Sequence, residues 1–196
     1  MKGKILTAIL IGAIVTFGLL YLFWPQYDDL PNLGKVEPFQ VDSIFSDEYQ
    51  LDNQRIKLVA FFYTNCPDIC PLTMSDFNKL QEELKREELF GNSVQLVAIT
   101  LDPENDTTSV IKNYASHFDV DPAGWLWLRG TLSQTKQIAE DFQMYYKATE
   151  DNFLIHGTTM YLLDQHHNIR AIYDMANRKN PINMEEIVGD MLLLVD

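Results

Sequence analysis

Cysteine is scarce in this chain: only two of its 196 residues are cysteines, and they stand four positions apart at Cys66 and Cys70. So few cysteines exclude a small domain stapled by several disulfides. A structural disulfide across this spacing would close only a tiny loop and stabilise the fold little in the chain-entropy model. The pair therefore points to redox chemistry or to a soft metal ion, with two buried and unreactive thiols as the alternative.

Basic residues are also few, because 15 lysines and arginines stand against 28 aspartates and glutamates, a formal net charge of −13. All of the acidic residues follow Trp24. So negative a domain is a poor match for nucleic acid or for an anionic membrane surface. The charge favours a solubilising surface, or a partner protein with basic patches.

Charge is absent from Ile5 to Trp24, a run of 20 residues. A helix of that length rises about 30 Å, enough to cross the hydrocarbon core of a bilayer. Lys2 and Lys4 precede the run, so the positive-inside rule places the N-terminus in the cytoplasm and the rest of the chain on the extracytoplasmic side. Because no Ala-x-Ala cleavage site follows, we predict an uncleaved, single-pass anchor in the cytoplasmic membrane, with a cleaved signal peptide as the alternative.

The rest of the chain divides into a linker and one domain. We predict the anchor over residues 1–24, a linker with several prolines over 25–38 and a domain over 39–196. Residues 39–53 alternate in part and are predicted as an extra β-hairpin. The other predicted elements are a strand at 56–64, a helix at 72–90, a strand at 94–101, a helix capped at Thr107 or Thr108, a short strand at 125–128, a helix from Ser133 to Phe142, strands at 158–163 and 169–173, and a helix at 183–194.

This order predicts an α/β three-layer sandwich. The strands at 56–64 and 94–101 are predicted to be parallel neighbours joined by a right-handed crossover. It resembles the element order of a thioredoxin-like fold, with the cysteines where that fold keeps its reactive site. Cys66 and Cys70 stand between a buried strand and the next helix. A helix N-terminus stabilises thiolates, and residues four apart on a helical turn face the same way.

His156 is the third candidate of the site. It stands just before the strand at 158–163, in a loop that lies beside the cysteine loop in a thioredoxin-like fold. Thioredoxins place a cis-proline there, whereas this chain has no proline between Pro122 and Pro181. Two thiolates and an imidazole form a soft three-ligand set that suits copper or zinc. A solvated loop histidine is the alternative.

Other polar residues are weaker candidates. Asp102 ends the second predicted strand, where it would orient the histidine, tune the metal or contact a partner, or have no part in the site. Asp106 and Thr107 are predicted only to start the next helix. Three further histidines are minor metal-ligand candidates: His117, His166 and His167. His166 and His167 are predicted to be solvated in a hairpin turn.

Three motifs taken together resemble the Sco/SenC family. They are the segments 61–71 (FFYTNCPDICP), 101–107 (LDPENDT) and 156–162 (HGTTMYL). The likeness extends from about Val36 to the C-terminus, in the right order and at plausible spacing. The predicted N-terminal hairpin departs from the family because it lacks the usual Asp-Gly turn.

The resemblance implies a thioredoxin-like, membrane-tethered protein that serves assembly of the CuA centre of cytochrome c oxidase. It also implies one bound copper ion, as Cu(I) or Cu(II), with Cys66, Cys70 and His156 as ligands. Asp102 matches the aspartate that the family keeps near the site.

We carry three functional hypotheses. The first is a copper chaperone that passes its ion by ligand exchange to the CuA site on cytochrome c oxidase subunit II. The second is a thiol–disulfide reductase or redox sensor in which Cys66 and Cys70 cycle between dithiol and disulfide, and only here would the protein be an enzyme. The third is an assembly factor that docks on the oxidase without carrying metal.

Overall fold

The structure is a computed structural model, and it describes residues 29–148, 154–177 and 179–195, with 11–12 and 16–18 near the N-terminus. Apart from those two short pieces, the predicted membrane anchor lies outside the described residues. Within the described part of the chain, no helix is long and apolar enough to cross a membrane. The anchor stays a prediction from the sequence.

A mixed sheet forms the centre of the fold. The strands are β1 (Gly34–Lys35), β2 (Gln40–Ser43), β3 (Glu48–Gln50), β4 (Ile56–Phe62), β5 (Val94–Thr100), β6 (Trp125–Arg129), β7 (Tyr146–Ala148), β8 (Leu154–His156), β9 (Thr159–Leu163) and β10 (Asn168–Asp174). Eight of them form one sheet in the order β1-β10-β9-β4-β5-β6-β2-β3. The central strands β4, β5 and β6 run parallel, and the outer pairs are antiparallel. Every residue of β4 and β5 is buried, as expected for parallel strands that are covered on both faces.

From residue 29 onward, the described helices are α1 (Ile69–Arg86), α2 (Thr108–Ala115), α3 (Leu132–Asp141) and α4 (Met184–Leu192). Helix α1 begins three residues before its predicted start and therefore includes Cys70. Thr107 caps α2, as predicted, by accepting a hydrogen bond from the backbone of Val110. Thr131, rather than Ser133, caps α3 through a reciprocal pair of hydrogen bonds with Gln134.

Apolar side chains pack on both faces of the sheet. Leu58 and Phe62 of β4 lie in one cluster with buried residues of α1, α2 and α4. Val59 and Phe61 point the other way and pack in a second cluster with buried residues of α3. This division follows the two-residue period of a strand. The predicted α/β fold class is confirmed, with helices on both sides of the sheet.

Besides the antiparallel pair β9 and β10, the described chain has two further hairpins, and that of β7 and β8 is a separate two-stranded sheet. The predicted hairpin at 39–53 is present, since β2 and β3 pair antiparallel with Val41 opposite Tyr49. The second hairpin joins β7 to β8 and places Tyr146 opposite His156. The sequence predicts only a loop at His156, because strands of three residues are too short to show a period of two. This hairpin gives the histidine a fixed backbone.

Part of the segment predicted as a linker joins the sheet. Gly34 and Lys35 form β1 and pair antiparallel with Ile169 and Asn168 of β10. Arg170 donates hydrogen bonds to the carbonyl oxygens of residues 30 and 31, at 3.2 and 3.1 Å. The chain therefore lies against the sheet edge from about residue 30 onward.

Candidate metal centre

The three predicted metal ligands come from three different elements and meet at the carboxyl end of β4. Cys66 lies in the loop after β4, Cys70 in the first turn of α1, and His156 at the end of β8. Their ligand atoms all lie within 4.8 Å of one another. His156 Nε2 is 3.8 Å from Cys70 Sγ. In the described ranges, this is the one group of cysteine, histidine and acidic side chains placed to hold a metal ion.

A tight connection between strand and helix brings the two sulfurs together. The Cys66 backbone N–H donates to the carbonyl oxygen of Tyr63 at 3.2 Å. The Cys70 backbone N–H then donates to Cys66 Sγ at 3.4 Å. Cys66 is half-buried, Cys70 is buried, and both thiols are free. An amide of the first helical turn thus points at the Cys66 sulfur, which stabilises negative charge there.

The two thiols hold their protons with very different strength. The hydrogen bond from the Cys70 thiol, aided by His156, holds the pKa of Cys66 at about 4 although partial burial acts in the opposite sense. The hydrogen bond to the Cys66 sulfur and the burial of Cys70 raise the pKa of Cys70. Both shifts favour a thiolate at Cys66 that accepts a hydrogen bond from a protonated Cys70. A metal ion that binds both sulfurs must therefore displace the Cys70 proton.

The imidazole of His156 is oriented by the residue that follows it and by a neighbouring aromatic ring. Its Nδ1 lies 2.6 Å from the carbonyl oxygen of Gly157. Because a carbonyl oxygen only accepts, Nδ1 carries a proton and donates it to this bond. The other nitrogen, Nε2, faces the sulfurs and is the atom available to a metal ion. The ring of Tyr63 meets the imidazole edge to face, with centroids 5.9 Å apart, and restricts its rotation.

Asp102 lies in the loop after β5, beside the cysteine loop. Both of its carboxylate oxygens accept from Asn105 Nδ2 at 3.0 Å. The carboxylate is therefore engaged within its own loop, and it is not one of the clustered ligand groups. A role for Asp102 beside the metal stays a prediction.

Asp106 is a functional candidate that the sequence analysis missed. The prediction that it only starts the next helix is wrong, because its carboxylate is buried and accepts hydrogen bonds from the backbone N–H and hydroxyl of Thr64 and from the hydroxyl of Thr100. An aspartate just before a helix looks like a capping residue in a sequence. The available clue was a pair of threonines at the same end of the central strands, with Thr100 ending β5 and Thr64 two residues after β4.

The remaining histidines lie outside the ligand group. His117 Nδ1 is 3.1 Å from the carbonyl oxygen of Tyr114, at the end of α2. His166 is exposed, as predicted. His167 is buried, which contradicts the prediction of a solvated residue, and its Nε2 lies 3.8 Å from Asp52 Oδ1. It sits in the turn with a φ of 67°, in the left-handed region.

Comparison with known proteins shows the family of this chain. A family model described as SCO1/SenC matches residues 45–192. The SCO2-like protein of Rickettsia felis is 27% identical over 182 residues, 84% of this chain and 84% of that protein. The structure of BsSco, described as a member of the Sco family of cytochrome c oxidase assembly proteins with a disulfide switch, has a TM-score of 0.72 at 25% identity and covers 85% of this chain and 97% of its own. Yeast Sco1 with copper bound has a TM-score of 0.65 at 25% identity, covering 83% and 91%. The chain belongs to the SCO1/SenC family.

Proposed function

We propose that this protein is a copper chaperone that acts in the assembly of cytochrome c oxidase. It binds one copper ion through Cys66, Cys70 and His156 and delivers it to the CuA centre of subunit II. The observation that carries the proposal is the convergence of three soft donor atoms within 4.8 Å. The similarity to copper-bound yeast Sco1 supports copper as the cargo. The similarity to BsSco supports an oxidase as the recipient.

The donor set suits an ion that must be both held and released. Two thiolates favour Cu(I), and the imidazole adds affinity for Cu(II). Cys70 is buried, whereas Cys66 and His156 are half-buried and border solvent. An incoming thiolate of the acceptor can therefore replace the outer ligands first and Cys70 last. Such stepwise exchange transfers the ion without releasing it to water.

We further propose that residues 1–24 anchor the protein in the cytoplasmic membrane and that the domain works on the extracytoplasmic side. The support is the uncharged run of 20 residues with two lysines before it and all of the acidic residues after it. Such an anchor would keep the copper-binding domain at the membrane surface. Cell fractionation together with protease protection of tagged N- and C-termini tests this placement.

A thiol–disulfide function is the second candidate, and the state of the two thiols favours it. A thiolate at Cys66 can attack a disulfide of the acceptor and displace one of its sulfurs as a thiolate. Cys70 then attacks the mixed disulfide, loses its proton and releases the second acceptor sulfur. The acceptor gains two thiols while this protein ends with a Cys66–Cys70 disulfide. The disulfide switch named for BsSco supports this redox cycle.

Metal titration of the reduced full-length protein in detergent, under anaerobic conditions, tests the leading proposal. We expect one tightly bound copper per chain, seen as thiolate-to-copper charge-transfer absorption. Cys66→Ala and Cys70→Ala should abolish tight binding, and His117→Ala is the matched control because this histidine lies outside the cluster.

Other outcomes favour the rival functions. Loose binding alone, with ready disulfide exchange toward an acceptor peptide, would place the redox function first. Normal oxidase activity in cells that carry a Cys66→Ala/Cys70→Ala protein would instead favour an assembly factor that carries no metal.

A further inference from the structure

Asp106 is a buried carboxylate that connects two loops at the metal-binding edge. Its side chain is 1% exposed. Both oxygens accept from the Thr64 backbone N–H at 3.2 Å. The Thr64 hydroxyl donates to one oxygen and the Thr100 hydroxyl to the other. These bonds join the loop after β4, which carries Cys66, to the end of β5 and the loop that follows it.

The loop that carries Asp106 is itself held from behind. The guanidinium of Arg129 donates to the carbonyl oxygen of Pro103 at 2.7 and 3.2 Å and to that of Asp106 at 3.0 Å. The backbone N–H of Asp106 donates to the carbonyl oxygen of Asp102 at 2.8 Å. The carboxylate therefore projects from a rigid loop, so its position can fix what it binds.

The sheet itself does not reach the cysteine loop. The register of β4 with β5 ends at the pair Phe62 and Thr100. One more backbone bond follows, from Leu101 N–H to the carbonyl oxygen of Phe62 at 2.8 Å. Beyond it, the contact with Asp106 takes the place of strand pairing at Thr64, two residues before Cys66.

We propose that Asp106 is a positioning residue of the metal site, which holds the cysteine loop so that Cys66 Sγ faces Cys70 and His156. The proposal rests on the proposed function, since it concerns the same three ligands. Asp106 does not touch these ligands in the described contacts. Its hydrogen bonds act through Thr64, and Thr64 is joined to Cys66 by the turn that the Tyr63 carbonyl closes. Its charge also acts on Cys70, whose pKa it raises; Thr64→Val leaves this charge in place.

The chemistry of the contact requires a carboxylate. Its partners are an N–H and two hydroxyls, and an ionised carboxylate accepts from all of them. In Asp106→Asn, an NH₂ group would replace one oxygen and would face the Thr64 backbone N–H, which is also a donor. A threonine hydroxyl could bond to this group only by turning so that it accepts. The variant keeps the size of the side chain but loses at least one of the bonds, so the cysteine loop should sample positions in which Cys66 is farther from the other ligands.

Asp164→Asn is the matched control. Asp164 is also buried, and it accepts from the backbone of His166 and Asn168, each at 2.9 Å. Asp164 follows β9, and the end of β9 pairs with Lys57 near the start of β4. Asp164 therefore lies at the opposite end of β4 from the metal site. This variant should lower the melting temperature without changing the geometry of the ligands.

Copper affinity is measured on the full-length protein by competition with a Cu(I) chelator. We expect Asp106→Asn to weaken affinity about tenfold or more, in the range found when groups behind metal ligands are changed. Asp164→Asn should bind copper like the unmodified protein even if it melts at a lower temperature. Equal copper affinity in all three proteins would overturn the proposal.

A second measurement needs no metal and separates failure of this proposal from failure of the proposed function. The equilibrium between the Cys66/Cys70 dithiol and its disulfide is measured against glutathione, where one oxidised glutathione becomes two reduced molecules as the disulfide forms. We expect the equilibrium to shift at least threefold in Asp106→Asn and to stay unchanged in Asp164→Asn. If the unmodified protein binds no copper, the chaperone function fails while this equilibrium still tests Asp106. If Asp106→Asn does not fold, Thr64→Val takes its place, because it removes only the hydroxyl contact. This variant should weaken copper affinity and shift the dithiol–disulfide equilibrium. No change in either measurement would refute the role of Asp106.

Discussion

Removing the Cys70 thiol is expected to abolish the low pKa of Cys66. The hydrogen bond from Cys70 is the largest cause of that low pKa, followed among the favourable contacts by His156. Cys70→Ala removes this donor and leaves the start of α1 and the imidazole in place. The pKa of Cys66 should then rise from about 4 toward its ordinary value of 9.0.

The size of the effect follows from the fraction of thiolate. At pH 6, a thiol of pKa about 4 is almost fully ionised, whereas a thiol of pKa 9.0 is ionised to about one part in a thousand. A less basic thiolate reacts more slowly, with a Brønsted slope of roughly 0.4–0.5. The slower reaction offsets about 200-fold of the roughly thousandfold difference in thiolate fraction. The absolute rate at pH 6 therefore changes only about fivefold. The pH profile changes far more, because the thiolate is present above the pKa and lost below it.

The assay is the rate of alkylation of Cys66 by iodoacetamide between pH 5 and pH 8, followed by mass spectrometry of the modified peptide. The unmodified protein should give a nearly flat profile, and Cys70→Ala a rate that climbs with pH across the range. Cys70→Ser is the matched control, because its hydroxyl can still donate to the Cys66 sulfur and should keep much of the flat profile. A flat profile in Cys70→Ala would refute the reasoning and assign the low pKa to the helix N-terminus and His156.

Three further predictions concern the site and the core. His156→Ala should weaken Cu(II) binding far more than Cu(I) binding, since two thiolates still hold Cu(I); equal retention of Cu(II) in a titration would contradict the assignment of this ligand. The Lys57 ammonium is buried without a hydrogen-bond partner among the described residues, and burial lowers the pKa of Lys57 to about 8. Between about pH 8 and pH 10.5, the unfolded chain therefore binds more protons than the folded chain, so stability should rise with pH in that window. Lys57→Met should raise the free energy of unfolding in urea at pH 7 by about 1–3 kcal/mol. No gain in this variant would refute the cost of burying the ammonium. Phe62→Ala empties a site beside Trp127, whose ring centroid is 4.9 Å away, and should lower the same free energy by about 3–5 kcal/mol; a loss under 1 kcal/mol would show that the core refills the space.

Several elements were predictable because their cause is local. Segment 56–62 is apolar apart from Lys57, and it forms the buried strand β4. The apolar spacing of α1 predicts the face that carries Met74, Phe77 and Leu80, and all three are buried. Helix α1 nevertheless starts earlier than predicted, because Pro71 fits within a first turn as well as at its start.

Other features depend on contacts between distant parts of the chain. The short strands β7 and β8 have no periodic pattern, and each exists only because the other is beside it. His167 reads as a turn residue, yet the turn carries its side chain inward toward the region around Lys57 and Asp52. Burial by residues that are distant in the chain cannot be predicted from the residues next to His167 in the sequence.

The sequence by itself determined the identity of the three candidate ligands, because a cysteine pair at a strand-to-helix junction and a histidine before a later strand carry their chemistry in their residue types and spacing. Only the tertiary structure decided that their ligand atoms lie within 4.8 Å of one another, that the surroundings lower the pKa of Cys66 and raise that of Cys70, and that the Asp106 carboxylate bonds to Thr64 of the cysteine loop. The physical reason is that hydrogen bonds and burial act over a few ångströms in space, whereas Thr64 and Asp106 are 42 positions apart in the chain and Cys70 and His156 are 86.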